Sequence, residues 1–475
     1  MLERTNGADR ARWMVAAWLA TSCGASPSPL VQVPEASETV PSADTASTRS
    51  PTSNGVPTGP PSVYAWLSAL DTQGFDAGEG RIHFQAADNC CAWDDCLHMN
   101  PGSEYGAYAL PPGPGEYTAD RQVADDGTIL AWRLRDDEAV VYVGPPPPGA
   151  VYASFRTYVH DVAVLGGRLE TFESLGDTLN HVVWQTNPDG TLLVVTTASA
   201  ATLALLEQAA AGVGWPTINL DAIPLDVPRM GLGKLDDTFH TTVRMVGLDR
   251  AVLDPWLAAP TGRVFRLTPR TASPGVPLIS TSLTPVELPP LSHDIAPLRD
   301  AIVAAHPDHE ATDLVLEPLD PPADGPCWSG CNRDVSYLVS SEMLVGPEDR
   351  LVAYGVDPAA PAVGRAVWTS LVLHGMGNSD AAGAFGTTEL AGTAQAYVPD
   401  APEELYAVTF ARDCAGISPC IVVPEACPGV ELDELAKMVW RHYLDPATGT
   451  FPPHGNLGEQ GLLRLTPSGG GSPGR

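Results

Sequence analysis

Positive charge is scarce in this sequence, and lysine is almost absent. The 475 residues include 26 Lys and Arg against 57 Asp and Glu, which gives a net charge of −31, and Lys234 and Lys437 are the only lysines. Binding to nucleic acid requires clustered basic side chains that contact phosphates. Docking on anionic lipid head groups has the same requirement. The charge balance therefore argues against both kinds of partner, and any membrane attachment has to come from an anchor.

Several functional motifs are also absent. No segment reaches the ~18 uninterrupted apolar residues of a transmembrane helix. The apolar strand predicted at residues 191–197 is followed by Thr-Thr-Ala-Ser at 196–199 rather than by a glycine-rich phosphate loop, which disfavours a nucleotide site. His374-Gly375-Met376-Gly377 resembles the oxyanion loop of α/β-hydrolases, but the matching Gly-x-Ser-x-Gly elbow is missing, so a simple glycine turn is the favoured interpretation. We predict no cofactor and no metal site.

The N-terminus carries an export signal. Arg10 and Arg12 precede a short apolar run at residues 13–20, and Thr21-Ser22-Cys23 follows. Residues 19–23 resemble a lipobox, although Ala20 stands three residues before the cysteine where leucine is commonest. We therefore predict that residues 1–22 are a signal peptide, that Cys23 is lipidated, and that the protein is an outer-membrane lipoprotein of a bacterial cell envelope, attached to the membrane only by its acyl anchor.

The remaining eight cysteines are an even number in a chain predicted to be exported. An oxidising compartment keeps such cysteines as disulfides, and eight of them allow 105 pairings. Short loops favour Cys327 with Cys331 and Cys414 with Cys420, which leaves Cys90, Cys91, Cys96 and Cys427 for longer closures. The alternative is zinc, because Cys327 and Cys331, or Cys91 and Cys96 with His98, have suitable ligand chemistry; the regular paired spacing of a zinc module is missing.

Composition divides the chain into segments. Residues 23–62 are rich in Ser, Thr, Pro, Gly and Ala and predict a disordered tether, and residues 468–475 predict a disordered tail. Residues 269–290 predict a Pro-rich linker between a β-rich domain at residues 63–268 and a second one at residues 291–467.

Short apolar runs separated by turn signals predict an α+β fold of mostly antiparallel, sandwich-like sheet with a few helices. Residues 191–226 predict a βαβ unit whose helix ends at Gly212. The apolar spacing in residues 431–443 predicts an amphipathic helix, and residues 393–398 predict a strand.

An internal similarity crosses the predicted linker. Residues 137–144 are followed by prolines and by Tyr152-Ala153-Ser154, and residues 349–355 are followed by prolines and by Trp368-Thr369-Ser370. Two similar halves produced by duplication would explain this pattern, and chance similarity of two strand pairs is the alternative.

Several pieces of the sequence occur together in an uncharacterised family of exported proteins. The most specific are Asn332-Arg333-Asp334, Ala411-Arg412-Asp413-Cys414 and Tyr443-Leu444-Asp445-Pro446. The chain resembles this family over residues 137–453. The resemblance implies a recurring exported fold and brings no activity, substrate or cofactor.

Six residues are candidates for a site: Arg333, Asp334, Arg412, Asp413, His374 and His160. Two Arg and two Asp brought together could bind a carboxylate-bearing ligand or support acid–base chemistry, whereas the alternative is structural ion pairs beside disulfides. Every catalytic pattern tested lacks a required member. We therefore predict a non-enzymatic surface or ligand-binding module, with an extracytoplasmic hydrolase as the alternative.

Overall fold

Two β-sandwiches, one from each half of the chain, make up the described part of the protein. The structure is a computed structural model that describes residues 61–85, 91, 96, 99–278, 283–291, 293–321 and 331–468. The predicted signal peptide, Cys23, nearly all of the predicted tether, Cys90 and Cys327 lie outside these residues. No helix among them is long and apolar enough to cross a membrane.

Within the described residues, the N-terminal sandwich contains ten strands and three helices. The strands are β1 (Phe75–Gln85), β2 (Ser103–Ala109), β3 (Ala139–Gly144), β4 (Ala150–Val164), β5 (Gly167–Ser174), β6 (Leu179–Asn180), β7 (Leu192–Thr197), β8 (Asn219–Ala222), β9 (Thr238–Leu248) and β10 (Arg263–Pro269). The helices are α1 (Pro61–Thr72), α2 (Ala200–Gly212) and α3 (Arg250–Ala258).

The long strand β1 belongs to both layers of this sandwich. Its first part pairs with β10 and its second part with β2, so the strand order runs β5-β4-β9-β2-β1-β10-β3-β7-β8. Apolar side chains from both layers, including Trp132, Tyr142, Phe155 and Phe239, fill the space between them. Helices α1 and α2 cover the outer face of the β10-β3-β7 layer. These helices do not cover the outer face of the β4-β9-β2 layer.

In the part of the chain that the structure describes, the C-terminal sandwich has eleven strands, two short α-helices and two 3₁₀ turns. The strands are β11 (His309–Asp313), β12 (Leu316–Leu319), β13 (Val335–Ser340), β14 (Met343–Leu344), β15 (Arg350–Val356), β16 (Trp368–Gly375), β17 (Ala381–Gly386), β18 (Leu405–Ala411), β19 (Cys420–Val422), β20 (Leu435–Tyr443) and β21 (Gln460–Pro467). The helices are α4 (Ala296–Ala305) and α5 (Thr387–Leu390), and the 3₁₀ turns are Thr393–Ala396 and His454–Asn456.

Strand pairing repeats between the two halves. One layer is β10-β3-β7-β8 in the first half and β21-β15-β18-β19 in the second, and each ends in a parallel pair. The other layer is β2-β9-β4-β5 in the first half and β13-β20-β16-β17 in the second. In the second half, two separate strands, β11 and β12, occupy the positions that the single continuous strand β1 occupies in the first half. The predicted α+β sandwich fold with two similar halves is confirmed by this topology, and all described residues lie in one compact unit.

The βαβ unit is also confirmed, because β7 and β8 pair in parallel and α2 connects them. Ser199 caps α2 by accepting a hydrogen bond from the Thr202 N–H. Between β10 and α4, where the linker was predicted, the described residues contain no helix or strand.

Two predicted elements are wrong. Residues 435–443 form the central strand β20, not an amphipathic helix, because both faces of the strand are buried from Met438 onward. Ala436, Met438 and Trp440 enter the sandwich core, while Tyr443 on the alternate face packs against Tyr152 of the other half. The strand predicted at residues 393–398 is instead the 3₁₀ turn Thr393–Ala396, which helps to cover the outer face of the β21-β15-β18 layer.

Disulfides bear out the oxidised interpretation of the cysteines. Cys414 pairs with Cys420 across a short loop, and Cys91 pairs with Cys427 across most of the chain. Cys96 and Cys331 are disulfide-bonded as well. Disulfides of this kind are compatible with an extracytoplasmic location.

Candidate functional site

The two sandwiches meet through the outer faces of their equivalent layers. In the N-terminal sandwich, Ser154 on β4, Arg244 on β9 and Tyr105 on β2 lie directly beside one another. Residues opposite each other on neighbouring strands point to the same face of the sheet. The alternate residues, such as Phe155 and Met245, fill the sandwich core. The Ser154-Arg244-Tyr105 row therefore faces the other half of the chain.

The C-terminal sandwich carries the same three residue types at the equivalent positions. Ser370 on β16, Arg441 on β20 and Tyr337 on β13 lie beside one another. Their neighbours along the strands, including Leu371 and Trp440, point into the core. The interface thus contains two copies of a Ser-Arg-Tyr row. We call the two rows and the polar side chains that connect them the interface cluster.

A buried asparagine begins each copy of the cluster. The N–H of Asn100 donates to the Tyr105 hydroxyl at 3.1 Å, and the N–H of Asn332 donates to the Tyr337 hydroxyl at 3.4 Å. Each asparagine Oδ1 accepts the N–H two residues later, which closes a turn before β2 or β13. The same local structure therefore appears twice, although the two sequences share little beyond the Asn and the Tyr five residues later.

These asparagines also cross to the opposite sandwich. Asn100 Nδ2 donates to Ser370 Oγ at 2.9 Å and to the Tyr443 hydroxyl at 3.3 Å. Asn332 Nδ2 donates to the Tyr152 hydroxyl at 2.8 Å. Both asparagines are fully buried. Because a buried amide without partners is costly, these bonds fix how the halves pack.

Asp334 lies within this network and is only 2% exposed. Burial raises its pKa to about 8, although hydrogen bonds from Tyr152 and Asn180 act against the rise. The Tyr152 oxygen lies 2.9 Å from Asp334 Oδ2 and 2.7 Å from Ser154 Oγ. Below this pKa Asp334 is protonated, and its O–H donates to Tyr152 while the Tyr152 O–H donates to Ser154. Once Asp334 ionises, Tyr152 donates to the carboxylate and Ser154 donates to Tyr152.

Arg244 is a cation without a carboxylate partner among the described residues. Its guanidinium lies over the Tyr105 ring, 5.4 Å from the centroid, and hydrogen-bonds the Tyr158 hydroxyl. Its Nε atom is buried with no hydrogen-bond partner in the described part of the chain. Buried guanidinium groups are usually paired with an anion. A protonated Asp334 does not supply that anion.

Arg441 is held in an equivalent way. Its Nη2 atom lies 3.1 Å from Nε2 of the fully buried His374, and His374 Nδ1 lies 3.1 Å from the backbone carbonyl of Asp380. A neutral imidazole fits this geometry, since Nδ1–H donates to the carbonyl and Nε2 accepts from the guanidinium. His374 occupies the strand position equivalent to Tyr158, so a neutral side chain supports each arginine.

The two arginines converge on the same tyrosines. Burial raises the pKa of Tyr443 to about 12 and raises that of Tyr337, and Arg244 and Arg441 both act against these increases. Tyr105, Tyr337 and Arg244 are only partly buried, so the cluster reaches the surface between the halves. The cluster can therefore offer the positive charge of Arg244 and several hydroxyl donors to an anion.

Three of the six candidates from the sequence lie at this interface. Asp334 and His374 belong to the cluster, and Arg333 is buried beside it with its guanidinium 3.2 Å from Asp177 Oδ1. Arg333 also holds the chain locally, because its carbonyl accepts the N–H of Phe451.

The other three candidates lie elsewhere and make internal contacts. Arg412 donates to backbone carbonyls, including that of Pro424 at 2.7 Å. Asp413 accepts the N–H of Ala415 in the loop beside Cys414. His160 lies 3.0 Å from Asp161 Oδ2. The two Arg-Asp pairs therefore do not form one site.

Arg244, Arg441, Asn100 and Tyr152 were missed by sequence reasoning. The internal similarity contained part of the signal, because it aligned Ser154 with Ser370. Following β9 and β20 in the same register would have aligned Arg244 with Arg441 as well. This step was blocked by the wrong assignment of residues 431–443 as a helix.

The glycine-rich segment after His374 is a hairpin loop between β16 and β17. The Gly375 N–H donates to the Asp380 carbonyl, the Met376 N–H donates to the Leu435 carbonyl, and the Gly377 N–H donates to Glu434 Oε1 at 2.6 Å. All three donors that an oxyanion loop would present are therefore used within the protein.

A surface cavity of about 580 Å³ lies away from the interface cluster and is lined by Arg135, Asp137, Met230 and Ser273 among others. Asp137 already accepts from Arg135 and from the Ser273 N–H. These polar groups are satisfied without a ligand.

Comparisons with known proteins add little. No protein-family model matches the chain, and no curated protein matches it. Among solved structures, it is similar to an uncharacterized protein from Burkholderia cenocepacia, with 13% sequence identity and a TM-score of 0.40 over 87% of this chain and 90% of that chain. A likeness this distant carries no functional argument.

Proposed function

We propose that the protein is a non-enzymatic ligand-binding lipoprotein of the bacterial cell envelope, anchored to the outer membrane through Cys23, and that its body binds a small carboxylate or phosphate anion at the interface cluster. The observation that carries the binding proposal is Arg244, a guanidinium between two sandwiches with no carboxylate partner among the described residues.

The charge of the rest of the protein sharpens this proposal. A net charge of −31 repels anions from the surface in general. Selective anion binding therefore needs a local site in which positive charge is concentrated and partly shielded from water. Arg244 and Arg441, with a protonated Asp334 beside them, meet that requirement.

The geometry also suggests how the ligand is recognised. Guanidinium groups bind carboxylate and phosphate oxygens through paired N–H donors. The Tyr105 and Tyr337 hydroxyls accept N–H groups of the two asparagine turns and still carry their own hydrogens to donate. An anion could accept hydrogen bonds from these hydroxyl groups without displacing an existing hydrogen bond.

The test is a calorimetric titration of the full chain with a panel of small carboxylates and with inorganic phosphate. Arg244→Gln should weaken the best binder by about 30-fold or more, the loss expected for one charge-assisted hydrogen bond of about 2 kcal/mol. Arg299→Gln is the matched control, because Arg299 is paired with Asp313 at the surface and its loss changes the net charge equally. Equal affinity in wild type and Arg244→Gln, or no binding of any anion, would contradict the proposal.

A further inference from the structure

A second cluster with ligand chemistry lies just beyond the C-terminal end of β16, next to His374. It contains the disulfide between Cys91 and Cys427 and the carboxylate of Asp380. One carboxylate oxygen and the two sulfur atoms all lie within 4.8 Å of one another. Cys91 and Cys427 are exposed, whereas Asp380 is only 2% exposed.

Asp380 is only half satisfied by the protein. Its Oδ2 atom accepts the N–H of Gly429 at 3.0 Å. Its Oδ1 atom is buried and has no hydrogen-bond partner in the described part of the chain. A buried carboxylate oxygen without a partner loses its hydration and gains nothing in return. The Asp380 carboxylate therefore keeps unused capacity to bind a ligand.

The surrounding loop holds these groups in place. The Asp380 N–H donates to Asn378 Oδ1 at 3.2 Å, and the Asn378 carbonyl accepts the Cys96 N–H at 2.7 Å. Asn378 Nδ2 lies 3.6 Å from Cys427 Sγ.

The carboxylate of Glu434 lies beside that of Asp380 against Gly375, where any side chain would collide with both. The local charge is therefore negative, which favours a cation.

We propose that reduction of the Cys91–Cys427 disulfide creates a zinc site formed by the two cysteine thiolates and Asp380. Zinc accepts thiolate and carboxylate ligands in tetrahedral geometry, and two sulfurs bound to it stand about 3.7 Å apart. The Cα atoms of the two cysteines are 5.7 Å apart, which lets both thiolates reach one ion. Water would complete the coordination.

The chemistry balances with a thiol as reductant. Two molecules of thiol supply two electrons and two protons to the disulfide and become a disulfide themselves, which leaves two cysteine thiols. Zinc then binds both sulfurs as thiolates and releases the two protons. The oxidised form has no thiolate to offer, so the site exists only in the reduced form.

The experiment is an anaerobic titration of the full chain with Co²⁺ and then Zn²⁺, before and after reduction with a thiol that is removed before titration. Cobalt bound to thiolates gives an intense absorption band in the near ultraviolet. We expect no band in oxidised protein and a band after reduction that Zn²⁺ abolishes. Cys427→Ser should eliminate this band, and Asp380→Asn should weaken cobalt binding at least tenfold.

The Cys414→Ser/Cys420→Ser double variant is the matched control. It removes the other disulfide whose two partners are described and should leave the cobalt band unchanged. Circular dichroism of the reduced chain shows whether the fold persists. Unfolding on reduction, a band that survives Cys427→Ser, or a band that disappears in the control variant would each overturn the proposal.

Discussion

Replacing Asp334 with asparagine should make the protein more stable at alkaline pH. Asn has nearly the same shape as a protonated Asp and can donate from Nδ2 to the Tyr152 hydroxyl. It cannot ionise. Because burial raises the pKa of Asp334 to about 8, the wild-type carboxyl is the group that resists ionisation at the interface.

The expected magnitude follows from this pKa. In the unfolded chain the carboxyl ionises near pH 4, whereas in the folded chain it stays protonated up to about pH 8. Between these values the folded state binds one more proton than the unfolded state, so the free energy of unfolding decreases as pH rises. The decrease contributed by Asp334 is about 4 kcal/mol between pH 5 and pH 9, and the stability is complete only below about pH 4.

Urea unfolding of wild type and Asp334→Asn at pH 5, 7 and 9 isolates this contribution, because all other titrating groups are common to both proteins. The two should agree within about 1 kcal/mol at pH 5. The variant should then gain about 4 kcal/mol on wild type by pH 9. A variant that is less stable than wild type by the same amount at every pH would refute the inference that Asp334 is protonated in the folded protein.

Three further outcomes are expected. Asn100→Ala and Asn332→Ala should each lower the free energy of unfolding by about 2 kcal/mol, since each leaves buried partners unsatisfied; values near zero would show that the crossing bonds do not hold the halves. Loss of the Cys91–Cys427 disulfide should destabilise the chain by about 3.5 kcal/mol more than loss of Cys414–Cys420, because its cysteines are 336 residues apart in sequence against 6; equal losses in paired Ser variants would contradict the loop argument. Cys23→Ser should move the protein out of the membrane fraction, and continued lipid labelling of that variant would contradict the lipobox.

Much of the fold was predictable because its signals are local. Alternation of apolar residues marks β4, turn residues bound the short strands, and the apolar run of β7 followed by a capped helix marks the βαβ unit. The pairing of Cys414 with Cys420 followed from its short loop. These features depend on residues close together in the chain.

The interface cluster could not be predicted in the same way. Strand β20 is buried on both faces from Met438 onward, so its apolar residues do not alternate cleanly, and their spacing also matches a helix. Asn100 and Asn332 act across 270 and 180 residues of sequence, through partners that only the packing of the two sandwiches brings together.

The most direct test of the central claim is the coupling between Arg244 and Arg441 in anion binding, measured by calorimetry on both single Gln variants and the double variant. If both arginines bind one anion between the sandwiches, wild type should bind one anion per chain, each single variant should lose most of the affinity, and the double variant should lose little more. Two anions per chain, or losses in the single variants that simply add in the double variant, would show that the two arginines do not form one site.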